Sequence, residues 1–258
     1  MPVNPIYNNA QFIRYMFKAL RPGTRLFYPK LFLIAFIVMA IVIQGLWSPG
    51  IFASNDLLNW SNYLQIFVAF VCSIMSVYLY FKESQKRIYL LSGFAFAGWF
   101  LSNIYWYLHI QLLGRGLLYP CISDAGFLGF FLFMAAGIQL TFSKKKVNKF
   151  VLPALYAILL IVPAILAISR PGMGSVVTMI YFLSSAVLLS TIVAYYDKNN
   201  MALTSGAVLY CVTMILYALR ESYFVDNPVF TIVGQVAIIS FSCIQIGLLG
   251  LAEKGDGQ

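Results

Sequence analysis

The sequence predicts an all-α polytopic membrane protein, with eight transmembrane helices in two parallel four-helix halves and an N-terminal interfacial amphipathic helix. Three observations predict it. Eight apolar stretches, each near the length needed to cross a bilayer, fill nearly all of the 258 residues. Hydrophobic residues make up 61% of the chain and charged residues only 10%, with a mean hydropathy of +0.84. A soluble domain carries about 25% charged residues. The lysines and arginines also crowd into alternate loops. In hydrocarbon every backbone polar group must be bonded within its own segment, so helices are the default. A β-barrel would show segments of about 10 residues alternating apolar and polar. These runs are about twice that length and apolar on every face.

The elements follow in order. Ala10, Phe12, Ile13, Met16, Phe17 and Leu20 recur at helical spacing, with Arg14 and Lys18 on the opposite face. That pattern predicts a basic amphipathic helix lying in the membrane surface, ended by Pro22-Gly23. Residues 1–29 form this cytoplasmic segment. Span one, 31–47, is a run of Leu, Ile, Val and Phe. A loop at 48–61 holds Pro49, Gly50, Asn55, Asp56 and Asn59, with Trp47 and Trp60 as interfacial belt residues at its edges. Span two covers 62–81, and span three 88–112 with an aromatic outer end. Span four, 121–142, opens after Pro120, whose fixed φ suits a first helical turn.

Span five, 150–168, contains Pro153 and Pro163, which predict a kink or local unwinding. Span six, 174–196, carries Ser184, Ser185, Ser190 and Thr191, expected to bond to their own helix or across to a neighbour. Spans seven and eight are 201–219 and 229–252, followed by a cytoplasmic tail at 253–258. The transmembrane domain is thus 30–252, in halves of about 30–143 and 149–252. A short internal repeat supports the halves. Leu90-Leu91-Ser92-Gly93 matches Leu203-Thr204-Ser205-Gly206, and Pro120 and Pro228 are each followed six residues on by Gly126 and Gly234. Four spans per half give both halves one orientation, a parallel repeat.

Fourteen of the 17 lysines and arginines fall before span one, after spans two, four, six and eight. Only Arg115, Arg170 and Arg220 fall on the other side. The positive-inside rule therefore places both termini in the cytoplasm, in an integral membrane protein. The net charge of +9 is accounted for by this topology and by anionic membrane lipids, with no nucleic acid partner expected. Cys72, Cys121, Cys211 and Cys243 fall in or at the ends of spans without a Cys-x-x-Cys pair, and read as reduced packing residues. No cleavable signal peptide is expected.

Few residues are candidates for chemistry. Ionisable groups at membrane depth are costly and are functional candidates by default. Asp124 opens span four, where an anionic ligand contact and a favourable meeting with the helix dipole are both open readings. His109 is the only histidine, too few to build a metal site. Asn103, Tyr105 and Trp106 accompany it at the outer end of span three, as an aromatic belt or as the wall of a pocket. Arg220 and Glu221 end span seven, and Arg220 at that depth would reach Asp124 if the halves packed face to face. No lysine is expected within a span. There is no Ser-His-Asp set, His-Glu-x-x-His, phosphate-binding glycine loop or paired intramembrane carboxylate, so no catalytic residue, metal or cofactor is expected.

The stretches Leu91-Ser92-Gly93, Gly98-Trp99-Phe100 and Tyr119-Pro120-Cys121-Ile122-Ser123-Asp124-Ala125-Gly126-Phe127-Leu128 resemble the multi-helix membrane sensory region found N-terminal to bacterial diguanylate cyclase (GGDEF) signalling domains. Here Cys121 replaces the serine after the proline of that region's Pro-Ser-x-x-Asp element. In the later half Pro228 matches the second such element and Ile232 replaces its acid. The resemblance implies a sensory or regulatory module in the bacterial plasma membrane. Family members continue into a cytoplasmic output domain, whereas here Glu253 to Gln258 follow span eight. Cyclase activity is therefore not expected to carry over, and a separate protein partner is expected at the cytoplasmic basic loops.

The expected function is a non-enzymatic membrane sensor or regulatory subunit that recognises a small or lipidic ligand, or a membrane partner, near the outer leaflet. Asn103, Tyr105, Trp106, His109, Asp124 and Arg220 are the expected ligand-binding residues. A small-solute or lipid transporter is the alternative, and an intramembrane lipid-modifying enzyme a third reading. Gly93/Ala97 and Ala125/Gly129 permit close helix contacts, within one chain or in a homo-oligomer.

Overall fold

The computed structural model describes residues 26–47, 54–83, 86–113, 121–145, 150–195, 200–223 and 232–255. They form helices α1 (Phe27–Trp47), α2 (Ser54–Lys82), α3 (Arg87–Leu113), α4 (Ser123–Thr141), α5 (Val151–Ser169), α6 (Met173–Tyr195), α7 (Met201–Tyr223) and α8 (Val233–Gly255). No strand occurs among the described residues. All eight helices are long and apolar enough to cross a membrane, which makes this a multi-pass integral membrane protein. The 21 residues of α1 alone span about 32 Å, enough for a hydrocarbon core of about 30 Å. The expected surface helix at 10–20, most of the loop at 48–61, and Arg115, Pro120, Asp226 and Pro228 lie outside the described residues.

Contacts define a ring in which α2, α3, α4, α6, α7 and α8 each pack on the next, and α8 closes on α2. Outside the ring, α1 leans on α8 and only lightly on α2, while α5 packs chiefly on α6. Exchanging helices 1–4 with helices 5–8 converts the α2–α8 contact into the α4–α6 contact, and both are present. α1 breaks that equivalence by its extra packing on α8.

The ring is filled by aromatic side chains. Phe96 (α3), Phe130 (α4), Tyr210 (α7) and Phe241 (α8) are fully buried and meet with centroid separations of 4.0–6.0 Å. Aromatic pairs of this kind stabilise by about 0.5–1.5 kcal/mol beyond burial. The Tyr210 hydroxyl donates to the Phe127 carbonyl at 2.8 Å, so its polar end is satisfied. Small residues set the helix spacing around this plug. A Cβ on Gly126 would overlap the Ser102 hydroxyl and the Gly98 carbonyl, so α3 and α4 approach backbone to backbone there. The contact is within one chain and uses Gly98 and Gly126. Of the expected small residues, Ala125 is exposed and Gly129 meets only the edge of Phe133.

Several helix ends depart from the sequence reading. α1 begins at Phe27, which brings Lys30 inside a candidate span, against the expectation of no lysine there. α8 runs on to Gly255, which brings Glu253 inside the helix instead of the tail. The reason is common to both: Lys30 Nζ lies 2.5 Å from Glu253 Oε2, and Lys30 is only 1% exposed. Each charge has its counter-ion, so both helices extend past the apolar run that would otherwise bound them. α2 starts at Ser54, earlier than expected, on a Ser-Asn-Asp sequence of residue types that favour helix N-termini. α5 runs unbroken through Pro163, and Pro153 sits in the first turn, where its missing N–H costs nothing.

Candidate functional site

At the end of the bundle away from the lysine-rich loops, α2, α3, α4, α7 and α8 enclose a cavity of about 70 Å³. That is room for roughly five waters, or for one compact polar group. Helical spacing builds each wall. On α3, Trp99, Asn103 and Trp106 recur at steps of four and three residues and so share the inward face. On α2 the same spacing presents Ser61, Asn62 and Gln65. α7 contributes Thr213, Tyr217, Arg220 and Glu221, and α8 contributes Gly234 and Ala237. A Cβ on Gly234 would overlap the side-chain ends of Gln65 and Ser61, so the glycine makes room for these two polar groups against α8.

The cavity holds one charge of each sign. Arg220 Nε approaches Glu221 Oε1 at 3.7 Å, a long and single contact. Both side chains are partly exposed, at 30% and 23%, so the pair is weak and both groups remain open to a ligand. Asn103 is oriented by its Nδ2 donation to the Trp99 carbonyl at 3.3 Å. Gln65 donates to Ser61 at 3.4 Å.

Three of the six expected residues, Asn103, Trp106 and Arg220, line this cavity. The other three do not. Asp124 is 4% exposed and fully engaged. Its Oδ2 accepts from the Cys121 N–H at 2.7 Å, and its Oδ1 accepts from the Tyr181 hydroxyl of α6 at 2.6 Å. It thus fixes the chain entering α4 and ties α4 to α6. It stands within electrostatic range of Glu221, behind the cavity wall, but Arg220 takes Glu221 as its partner and not Asp124. Tyr105 is largely exposed and pairs with the His109 ring at 6.2 Å centroid separation. Tyr105 sits two residues, about 200°, from Asn103 and is turned outward, whereas His109, six residues on and about 240° round, is half-buried off the cavity wall. Tyr63 and Tyr107 meet hydroxyl to hydroxyl, joining α2 to α3 beside the cavity.

Just outside the span, the Cys121 thiol has its pKa pushed up, first by partial burial and then by the Asp124 charge. Cys72, Cys211 and Cys243 are buried, in keeping with the packing role expected of them. No cluster of three metal-ligating side chains occurs among the described residues. Sequence reasoning did not single out Trp99, Ser61, Asn62, Gln65 or Tyr217 as pocket residues. The three-and-four spacing from Asn103 would have found Trp99. The α2 residues stood in or beside a stretch read as loop.

Below the cavity, polar groups continue along α8 toward the basic end. Ser76 donates to Gln245 Oε1 at 2.8 Å across the α2–α8 contact, and the fully buried Gln245 amide nitrogen and Ser242 hydroxyl have no hydrogen-bond partner among the described residues. Gln139 on α4 donates to Thr191 on α6 at 3.2 Å, the cross-helix role expected of such groups.

No family model, curated protein or solved structure matches this chain.

Proposed function

We propose that this protein is a non-enzymatic membrane sensor or regulatory subunit whose ligand occupies the cavity at the outer end of the bundle. The supporting observation is the make-up of that cavity, which draws its walls from both halves of the chain. Trp99, Asn103 and Trp106 come from the first half, and Tyr217, Arg220 and Glu221 from the second. A ligand bound there bears on the packing of one half against the other. The basic loops at the opposite end, in the bacterial cytoplasm by the positive-inside rule, present that change to a separate protein partner.

Mild-detergent purification from native membranes, with mass spectrometry of the associated proteins and lipids, tests the proposal. The wild-type chain should bring a stoichiometric protein partner, and a bound small molecule or lipid that Trp106→Ala and Asn103→Ala lose. Recovery of the chain with neither a partner nor a bound molecule overturns it.

A transporter of small or lipid-like solutes is the second reading, favoured by the unpartnered Gln245 and Ser242 groups below the cavity. Uptake into proteoliposomes separates the two, because a sensor moves nothing.

A further inference from the structure

We infer that the outer cavity binds a small α-amino acid as its zwitterion, with the carboxylate on Arg220 and the ammonium on Glu221. This rests on the proposed ligand site and names its ligand class.

Charge sets the class. Arg220 and Glu221 are neighbours at the end of α7, and both stand at the partly exposed edge of the cavity. Their 3.7 Å approach is beyond hydrogen-bonding reach. Neither side chain hydrogen-bonds to any other group among the described residues. An anion alone would bring like charge against Glu221, and a cation alone would bring it against Arg220. An α-amino acid carries its ammonium and its carboxylate on one carbon, so its two charges lie side by side as those of the protein do. The guanidinium fork can take both carboxylate oxygens at once.

The remaining polar groups suit a primary ammonium, which brings three N–H donors. Asn103 spends its Nδ2 on the Trp99 carbonyl, and Gln65 spends its Nε2 on Ser61. The two amide oxygens accept from no group among the described residues, and both residues line the cavity. With the Glu221 carboxylate they make three acceptors for three donors. Trp99, Trp106 and Tyr217 add aromatic faces toward which a cation is drawn. A quaternary ammonium would use those faces but has no N–H to offer, and would leave the amide oxygens desolvated and unpaired.

Size sets the limit. The cavity of about 70 Å³ holds roughly five waters, which amount to about 150 Å³ of liquid. That admits an α-amino acid with a methyl or hydroxymethyl side chain and shuts out an aromatic one. Phe127, Met214, Ala237 and the Thr213 hydroxyl are the groups such a side chain would meet. An apolar groove of about 420 Å³ between α1 and α2, with Met39, Ile43 and Phe67 in its walls, lies outside the ring on the other face of α2, so the ligand has only the cavity to fill.

Equilibrium binding of radiolabelled L-alanine to the full-length chain in detergent tests this, with unlabelled competitors. They are L-serine, propionate, ethylamine, glycine betaine and L-tryptophan. The expected result is saturable binding displaced by L-serine, with the other four at least tenfold weaker. Arg220→Ala and Glu221→Gln should each weaken L-alanine at least tenfold at an unchanged unfolding midpoint, since both side chains are partly exposed. The competitor series on the wild-type chain decides the matter if either variant fails to fold. Propionate, ethylamine or glycine betaine competing as well as L-serine would mean a site for a single charge, and overturns the inference. L-tryptophan competing equally, or binding unmoved by either folded variant, puts the amino acid elsewhere and overturns it too. If L-alanine does not bind, the inference falls; if a different molecule then co-purifies and is lost in Trp106→Ala, the ligand-site reading survives it.

Discussion

Adding one methyl group at Gly126 should destabilise the bundle, whereas the same addition three residues later, at Gly129, should not. A Cβ on Gly126 falls on the Ser102 hydroxyl and on the Gly98 backbone carbonyl. The hydroxyl can rotate away, but the carbonyl belongs to a packed helix, so α3 and α4 must part. A Cβ on Gly129 meets only Phe133 Cε2, at 3.8 Å, an ordinary contact. Overpacking a close-fitting site costs about 1–3 kcal/mol, and a backbone clash puts this site at the upper end. Against it stands about 1 kcal/mol by which alanine outranks glycine in a helix interior. The net for Gly126→Ala is a loss of about 2 kcal/mol, and for Gly129→Ala a gain of up to about 1 kcal/mol. Gly98→Ala tests the geometry from the other side. Its Cβ has nothing nearer than the Gly126 carbonyl at 3.7 Å, so it should be tolerated although it sits in the same contact. Unfolding midpoints of the three purified variants in mixed micelles measure this. Equal midpoints for Gly126→Ala and Gly129→Ala, or a loss at Gly98→Ala as large as at Gly126→Ala, would refute the backbone-to-backbone packing.

The remaining predictions concern the polar groups. Lys30→Met should cost about 3 kcal/mol by leaving Glu253 without its counter-ion, and Lys30→Met with Glu253→Gln should recover most of that, as read by the same unfolding assay in a double-mutant cycle. Tyr181→Phe removes the donor to buried Asp124 and should cost about 1.5–3 kcal/mol. Tyr156→Phe, which loses only a 3.2 Å contact to Ser190, should cost well under about 1 kcal/mol. Cys121 should be the one described cysteine that a membrane-impermeant maleimide modifies, and only from the side opposite the basic loops. Its raised pKa keeps it protonated where a free thiol has begun to ionise, so labelling at pH 8–9 should lag a free cysteine and catch up as the pH rises further. The same sign means that its contribution to stability is complete below the ordinary thiol pKa and is lost as the pH rises through the folded value. Labelling from the side of the basic loops would contradict the orientation inferred from them.

Helix existence was legible in the sequence because length and apolarity alone decide whether a segment can span. The expected and observed limits differ by four residues or fewer for seven of the eight helices, and by eight at the start of α2. Three of the departures have physical causes that no single window shows. α1 and α8 each extend past a charged residue because that charge finds its counter-ion on the other helix, 223 positions away in sequence. α2 extends into what read as a polar loop because Ser, Asn and Asp serve a helix start as well as a turn. The short repeat named no helix partners, and the pairing of α2 with α8 and of α4 with α6 is seen only in the structure. The looser attachment of α1 to α2, which opens the apolar groove, left no mark in the sequence.

The site was half legible, and α3 shows why. Asn103, Tyr105, Trp106 and His109 were grouped by depth, which sequence position reports well. Which of them look inward depends on helical phase, and phase cannot be set on a helix that is apolar all round. The buried Phe96 and Trp99 supply that phase in the structure, selecting Asn103 and Trp106, turning Tyr105 outward and leaving His109 half-buried off the cavity wall. Asp124 was drawn toward the cavity by its charge, but its two oxygens are spent on the Cys121 amide and on Tyr181. What the charge does instead is couple α4 to α6 directly behind Glu221.

On the proposed sensor reading, α8 is the element that connects the two ends of the molecule. It touches the cavity through Gly234, which lies against the side chains of Ser61 and Gln65 on α2. Gly247 gives it an equally close approach to Leu203 on α7, and Glu253 ties it to α1 at the basic end. Its 23 residues form a rod of about 34 Å. A ligand that pushes α2 and α8 apart at Gly234 first displaces the Gln65 side chain and then bears on α8 itself. It must tilt the rod or slide it along α7, and either movement loads the Lys30–Glu253 pair, where a partner at the basic loops would read it.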